Sequence, residues 1–327
     1  MFSKRVRCRL DCKERVSGGE SDTGPFTTAN RAPTHTRRPV RGLEERIQEV
    51  QAVDRDTLAG ALGLGTQEVV SLVGAGGKTT ALHRLGEELA VGDNRVVAAT
   101  TTAMFLSQMR DFGPVLMEAE GGELGPRLRK ALLSGRTASV AQSVGDRGKV
   151  VGIPTLAIDE LWSEGLADYL LVEADGSRGL PFKAFGPHEP QVPAVTTTVV
   201  DMVGLDALGT VLDEEHVHRA QLLAAMLGIP LGGVVTGRVL ADGINMQLAQ
   251  LRQTCRNARI VLLLNKADGP RGRAAGLEVV RLLEDKSPAQ ERPSEIGRCA
   301  RAGKGRADSV VVASLHEHRC TLVTTGG

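Results

Sequence analysis

Glu68-Val-Val-Ser-Leu-Val-Gly-Ala-Gly-Gly-Lys-Thr-Thr80 is the most informative stretch of this chain. Its first six residues are an apolar run suited to a parallel strand buried on both faces, and Gly74 ends that run. Residues 79–90 then carry a helical pattern, closed by the turn Gly92-Asp-Asn94. Between strand and helix, Gly74, Ala75, Gly76 and Gly77 let the backbone curl so that successive N–H groups converge at the positive end of the helix. Lys78 adds a point charge there, and Thr79 a hydroxyl of the kind Mg²⁺ accepts. Together with Thr80 these residues are the candidate holders of a polyphosphate.

The full Walker A pattern places a Gly where this chain has Leu72, so the strict motif fails. What remains, Gly74-x-x-Gly77-Lys78-Thr79, is a shorter loop that resembles that of the ATP-using Mur ligases. As a bare strand-to-helix turn it would leave Lys78 solvated. The strand before, the helix after and the intact Gly-Lys-Thr favour phosphate.

Outward from this unit the pattern repeats. Arg95-Val-Val-Ala-Ala99 reads as a second strand, ending in Thr100, Thr101 and Thr102. Thr101 is a candidate Mg²⁺ ligand, although β-branched residues at a strand end also follow from propensity. Further strands are expected at 169–172, 198–203, 232–236, 259–264 and 309–313, and helices over 214–227, 244–256 and 274–285. Strands alternating with helices imply an α/β fold: a P-loop NTPase-like three-layer α/β/α arrangement with a mainly parallel sheet. Residues 1–42 are rich in Arg, Thr, Ser, Gly and Pro and read as a disordered basic N-terminal extension. The nucleotide-binding domain is expected over 43–285, with one or two lead-in helices carrying Leu43, Ile47, Val50, Val53, Leu58 and Leu62. Residues 286–308 read as a linker or loop, and 309–327 as a final strand and tail.

Composition narrows the function classes. Aromatic residues make up only 2% of the 327, and the net charge is +1. Base-stacking nucleic-acid binders need aromatics and polyanion binders need a basic excess, so neither nucleic acid nor an anionic membrane is an expected partner. Five unpaired-looking cysteines (8, 12, 255, 299 and 320), no secretory apolar region and no transmembrane-length run lead to the expectation of a soluble cytoplasmic protein.

Two further strand ends carry chemistry. The strand over 169–172 ends in Glu173-Ala-Asp-Gly-Ser-Arg178, and acids at the carboxyl end of a parallel strand lie on the ligand-binding rim. Glu173 or Asp175 can there hold Mg²⁺ or orient an attacking water, and both are candidate catalytic residues. The Glu-x-x-Gly form resembles the switch motif of GTPases that help insert metals into urease and hydrogenase. Arg178 and Lys183 can pair with phosphate or serve as surface charges. The strand over 259–264 ends in Asn265-Lys-Ala-Asp268. In GTPases Asn-Lys-x-Asp reads guanine: the Asp carboxylate accepts from the ring, the Lys stem covers it, and the Asn supports base and loop. Asn265, Lys266 and Asp268 are therefore candidate base-side residues, and GTP follows over ATP only if Asp268 reaches the base. His216 and His218, at i and i+2 with no third ligand nearby, read as the surface of a helix start rather than a metal site.

Taken in order, Val73-Gly-Ala-Gly-Gly-Lys-Thr-Thr80, Thr100-Thr-Thr-Ala-Met104, Glu173-Ala-Asp-Gly-Ser-Arg-Gly-Leu-Pro-Phe-Lys183, His188-Glu-Pro190, Val217-His-Arg219 and Leu264-Asn-Lys-Ala-Asp268 resemble the YqeC family of selenium-dependent (molybdenum) hydroxylase accessory proteins. The resemblance runs from about Thr66 to Asp268 and on to Ala313, leaving the first 42 residues outside it. It implies a role in maturing molybdenum-containing hydroxylases, selenium-dependent ones among them, with such an enzyme or its cofactor-maturation proteins as partners. The residues themselves point to a nucleoside triphosphate, GTP or ATP, with Mg²⁺. Three functions remain open: a hydrolysing accessory protein, an ATP-dependent ligase or small-molecule kinase, and a nucleotide-binding scaffold without turnover.

Overall fold

The computed structural model describes residues 51–285 and 305–324. The expected basic extension, residues 43–50 of the lead-in helices, most of the 286–308 linker and residues 325–327 lie outside the described residues.

Ten strands form one sheet: β1 (Gln51–Arg55), β2 (Glu68–Gly74), β3 (Val96–Thr100), β4 (Val115–Met117), β5 (Thr137–Ala141), β6 (Tyr169–Glu173), β7 (Thr198–Gly204), β8 (Arg259–Asn265), β9 (Ser309–Ser314) and β10 (Arg319–Thr324). Their spatial order is β1-β10-β9-β8-β7-β2-β6-β3-β5-β4. Among the described strands of this sheet β10 alone runs opposite to the rest, antiparallel to both β1 and β9. Eight helices accompany them among the described residues: α1 (Leu58–Leu62), α2 (Lys78–Leu89), α3 (Leu106–Phe112), α4 (Leu124–Gly135), α5 (Thr155–Ser163), α6 (Ala220–Leu227), α7 (Gly237–Thr254) and α8 (Gly269–Glu284).

Alternation along β2 divides the core. Val69 and Val73 cluster with Leu128 of α4, Ile158 of α5, Leu240 and Ile244 of α7 and Val279 of α8. Val70 and Leu72 cluster with Leu58 and Leu62 of α1 and with Leu82 and Leu85 of α2. All four β2 side chains are fully buried, and each contributes about 1.5–3 kcal/mol relative to exposure. The protein is thus an α/β structure with a large, mostly parallel sheet covered by helices on both faces. No helix among the described residues is long and apolar enough to cross a membrane.

The order of the strands positions the site. From β2 the chain passes to β3 on one side and later returns to β7 on the other, so β2 lies where the winding reverses. Register sets Leu72 beside Glu173 and Gly74 beside Met202, which brings the carboxyl ends of β6, β2 and β7 together. Crevices of this kind hold ligands in open α/β sheets.

Several local expectations are corrected. Residues 51–55, expected within a lead-in helix, form β1, because β10 offers an antiparallel partner. Residues 232–236, expected as a strand, form a turn with a lone bridge between Val211 and Val234; Gly232 has a φ of 81° and Val234 is exposed. The helix expected from 214 begins only at Ala220, after Val217–His218 pairs with Phe182–Lys183 in a short parallel ladder. His218 is accordingly buried rather than on a helix-start surface, while His216 meets Asp213 at 2.7 Å. The helices expected from 244 and 274 begin earlier, at Gly237 and Gly269; the first is capped by the Thr236 hydroxyl, which accepts from Val239 N–H.

Candidate functional site

The turn after β2 is held by main-chain geometry that only glycine tolerates. Gly74, Gly76 and Gly77 have φ values of 83°, 86° and 120°. A Cβ on Gly76 would stand 2.2 Å from the Gly204 nitrogen, and one on Gly74 would stand 2.3 Å from the Met202 oxygen. The turn is clamped to its neighbours: Gly74 N–H donates to Asp175 Oδ2 at 2.9 Å, Ala75 N–H to Met202 O at 2.8 Å and Gly76 N–H to Leu180 O at 3.1 Å. Helix α2 starts at once, and its N-cap, Gly77, supplies no side-chain cap. The N–H groups of the first turn, at Lys78, Thr79 and Thr80, thus have no partner one turn back, the condition for anion binding at a helix start.

Lys78 is 3% exposed. Its ammonium donates to Gly74 O at 2.8 Å and Ser177 Oγ at 3.2 Å, and pairs with Asp175 Oδ1 at 3.2 Å. The Thr79 hydroxyl donates to Glu173 Oε2 at 3.0 Å. Burial pushes the Glu173 carboxyl up, while Lys78 and the Thr79 bond pull it down and Asp175 pushes it further up. The two acids of Glu173-x-Asp175 therefore have different surroundings: Glu173 meets the helix hydroxyl, and Asp175, fully buried, meets Lys78 and Lys183. The Thr101 hydroxyl donates to Gln191 O at 3.0 Å, and that of Thr100 to Thr102 O at 2.9 Å. The Thr100 hydroxyl also donates to the Glu173 main-chain carbonyl at 3.2 Å, and neither threonine hydroxyl is bonded to the Thr79 hydroxyl or the Glu173 carboxylate among the described residues.

Asn265 comes to the same place from the end of β8. Its Nδ2 donates to Gly76 O at 2.8 Å, and its Oδ1 accepts from Leu315 N–H at 3.2 Å. Lys266, with a φ of 63°, pairs with Asp206 at 2.6 Å, and exposed Asp268 accepts from the Ser314 hydroxyl. Arg178 is exposed, with a φ of 54°, and Thr80 is exposed on α2.

Sequence reasoning gave no site role to Glu189, Arg219, Asp201 or Ser314, and left the setting of Lys183 open. Lys183, weighed as a phosphate contact or a surface charge, is fully buried against Asp175 and Glu189. Glu189 in turn holds Arg219. Burial alone would raise the Glu189 carboxyl, yet Arg219 and Lys183 hold it at about 2. Asp201 in β7 is fully buried, and neither carboxylate oxygen has a hydrogen-bond partner among the described residues. Burial and then Asp175 push it up to about 8, against the pull of Lys183 and Lys78. A lone acid inside Thr198-Val-Val-Asp-Met-Val203 was a legible signal of something unusual. Ser314, which ends β9, carried no such mark.

Fold and site together define an α/β protein with a glycine turn at the switch point of its sheet, flanked by a buried lysine and a hydroxyl–carboxylate pair. The family model for the YqeC protein matches residues 70–221. The "Uncharacterized protein YqeC" of Escherichia coli (strain K12) is 36% identical over 177 residues, covering 53% of this chain and 67% of that protein. The chain belongs to the YqeC family. The matched segment contains the glycine turn, Glu173 to Lys183, Glu189, Asp201 and Arg219, whereas Asn265 to Asp268 lies beyond it.

Proposed function

We propose that this protein binds a nucleoside triphosphate with Mg²⁺ in a P-loop NTPase-like, three-layer domain and hydrolyses it while assisting maturation of a molybdenum-containing hydroxylase. The observation that carries the reading is the 3.0 Å bond from Thr79 Oγ1 to Glu173 Oε2, directly beside the buried ammonium of Lys78. A hydroxyl on the first turn of a helix and a carboxylate from a neighbouring strand are hard oxygen donors on the carboxyl rim. Mg²⁺ takes one or two such protein ligands when phosphates supply others, so Thr79 and Glu173 fit it. An ion held by Thr79 and Glu173 would supply neutralisation of charge on the transferred phosphoryl group. The chain's own part is to seat the phosphates on the N–H groups of Lys78, Thr79 and Thr80, to bring the Lys78 ammonium to them, and to orient water through Glu173.

Guanine is the base the reading favours. Asp268 is exposed and accepts from Ser314, while Asn265 ties the base side to the phosphate turn. The maturation role is what the resemblance to accessory proteins of molybdenum hydroxylases implies; physically, hydrolysis can drive hand-over between partners by releasing loops that the γ-phosphate had ordered.

Isothermal titration of GTP and ATP side by side with Mg²⁺ tests this. GTP should bind more tightly, and Asp268→Ala should erase the preference without removing binding. Failure of the wild-type protein to bind either triphosphate would overturn the reading.

A further inference from the structure

Lys78 stands at one end of a run of alternating charges. Asp175 Oδ1 lies 3.2 Å from Lys78 Nζ, and Asp175 Oδ2 lies 2.9 Å from Lys183 Nζ. Lys183 Nζ is 2.6 Å from Glu189 Oε2. Glu189 takes both arms of the Arg219 guanidinium, at 2.6 and 2.9 Å. Asp175 and Lys183 are fully buried, and Glu189 and Arg219 carry the run towards the surface, where Arg219 forms the N-cap of α6. Main-chain contacts hold the run in place: Gln247 and Gln250 of α7 donate to the carbonyls of Lys183 and Glu189, both at 3.0 Å.

Charges this deeply buried do not act independently. Removing one partner of a buried pair leaves the other uncompensated, at high cost. In the structure the Lys78 ammonium is shared among Asp175, Gly74 O and Ser177. A phosphate that captures Lys78 leaves Asp175 with only the Gly74 N–H and Lys183. The exchange is cheap if Lys183 stays on Asp175. Glu189 competes for Lys183, and Arg219 satisfies Glu189.

We propose that Lys183, Glu189 and Arg219 are positioning residues that set how readily Lys78 passes from Asp175 to a bound phosphate. The proposal rests on reading the glycine turn as a phosphate site. It carries a signature in the sign of its effects. Neutralising Arg219 lets Glu189 draw Lys183 away, so Asp175 tightens its hold on Lys78 and phosphate binding weakens. Neutralising Glu189 commits Lys183 to Asp175, frees Lys78 and strengthens binding. Arg219 also donates to Ala184 O at 3.1 Å, a carbonyl outside the run of charges; if its effect on Lys78 passes through Glu189, its neutralisation is silent once Glu189 is neutral.

The test is titration calorimetry of GTP and ATP with Mg²⁺ on the full chain, for wild type, Arg219→Gln, Arg219→Lys, Glu189→Gln and the Arg219→Gln/Glu189→Gln double variant, with thermal melting to check the fold. The expected results are about fivefold weaker binding for Arg219→Gln, recovery in Arg219→Lys, about fivefold tighter binding for Glu189→Gln, and the double variant matching Glu189→Gln. A general structural role would weaken binding in every variant, and plain long-range attraction would leave the Arg219 effect intact in the double variant; either result overturns the proposal, as do variants indistinguishable from wild type. If Arg219→Gln does not fold, Glu189→Gln still decides, since only tighter binding agrees with the chain of charges. A wild-type protein that binds no triphosphate would instead sink the phosphate reading beneath it.

Discussion

The side-chain amide of Asn265 donates to the carbonyl oxygen of Gly76 at 2.8 Å, joining residues 189 positions apart. The same side chain accepts from Leu315 N–H. One buried amide thereby ties the glycine turn, the end of β8 and the turn after β9 into a single hydrogen-bonded unit. A buried polar atom left without its partner costs about 1–3 kcal/mol, more than the net gain of an ordinary hydrogen bond.

Replacing Asn265 should therefore reveal this tie. Asn265→Ala orphans Gly76 O and Leu315 N–H together, and an unfolding free energy lower by roughly 2–4 kcal/mol is expected. Urea denaturation measures it. Triphosphate affinity should fall as well, because the turn loses its tie to Asn265; unchanged affinity in a folded variant would show that the turn holds its shape alone.

Lys78 and Glu173 should separate binding from turnover. Lys78→Ala removes the one ammonium shared by the turn and Asp175, and titration should detect no triphosphate binding. Glu173→Ala leaves that ammonium in place but removes the partner of the Thr79 hydroxyl. Phosphate release should then fall by about a hundredfold while binding persists in weakened form. Full turnover by Glu173→Ala would remove Glu173 from the chemistry.

Gly76→Ala should damage the turn itself. The new methyl would meet Gly204 backbone at 2.2 Å, in a residue whose φ is 86°. Backbone cannot step aside as a flexible side chain can, so a loss of several kcal/mol is expected. A large fall in melting temperature, together with lost triphosphate binding, checks it. Gly148→Ala, with a φ of 73° but nothing within 4 Å, provides the contrast and should cost only about 1 kcal/mol.

Asp201 should leave a mark on the pH dependence of stability. Its carboxyl ionises near the ordinary 3.8 in an unfolded chain and at about 8 in the fold. Between those values the folded state holds the extra proton, so stability falls as pH rises through the window, by up to about 1.4 kcal/mol per pH unit, and levels off above it. Asp201→Asn cannot ionise and should remove this one-proton component. Glu189 runs the opposite way: its contribution is present above 4.5 and is lost as pH falls towards 2. Denaturation of wild type and Asp201→Asn at intervals from pH 5 to 9 compares the slopes; equal slopes would show that Asp201 ionises as it does in water.

Signals carried on neighbouring residues were legible in the chain. The apolar run of β2, the glycines and the helical pattern after Lys78 mark strand, turn and helix, and these lie at Glu68–Gly74 and Lys78–Leu89. The aliphatic runs of β6, β7, β8 and β9 were equally plain. β5 was not: Thr137-Ala-Ser-Val-Ala141 has little strand character, and its Ser139 is buried with its hydroxyl donating to Met109 O. β10 read as a tail because its register depends on β9 and β1, which no local pattern announces.

The amino-acid order alone determined where the backbone can curl, which runs must be buried, and that a lysine, a hydroxyl and several acids stand at strand ends. These follow from φ freedom and from apolar surface, which each residue carries wherever it lies. Only the tertiary structure decided that Glu173 faces Thr79 while Asp175 faces two lysines, that Lys183 is interior, and that Asn265 reaches Gly76. Such pairings depend on sheet order and on loops packed from distant parts of the chain, and the strength of a charge depends on how much water that packing excludes.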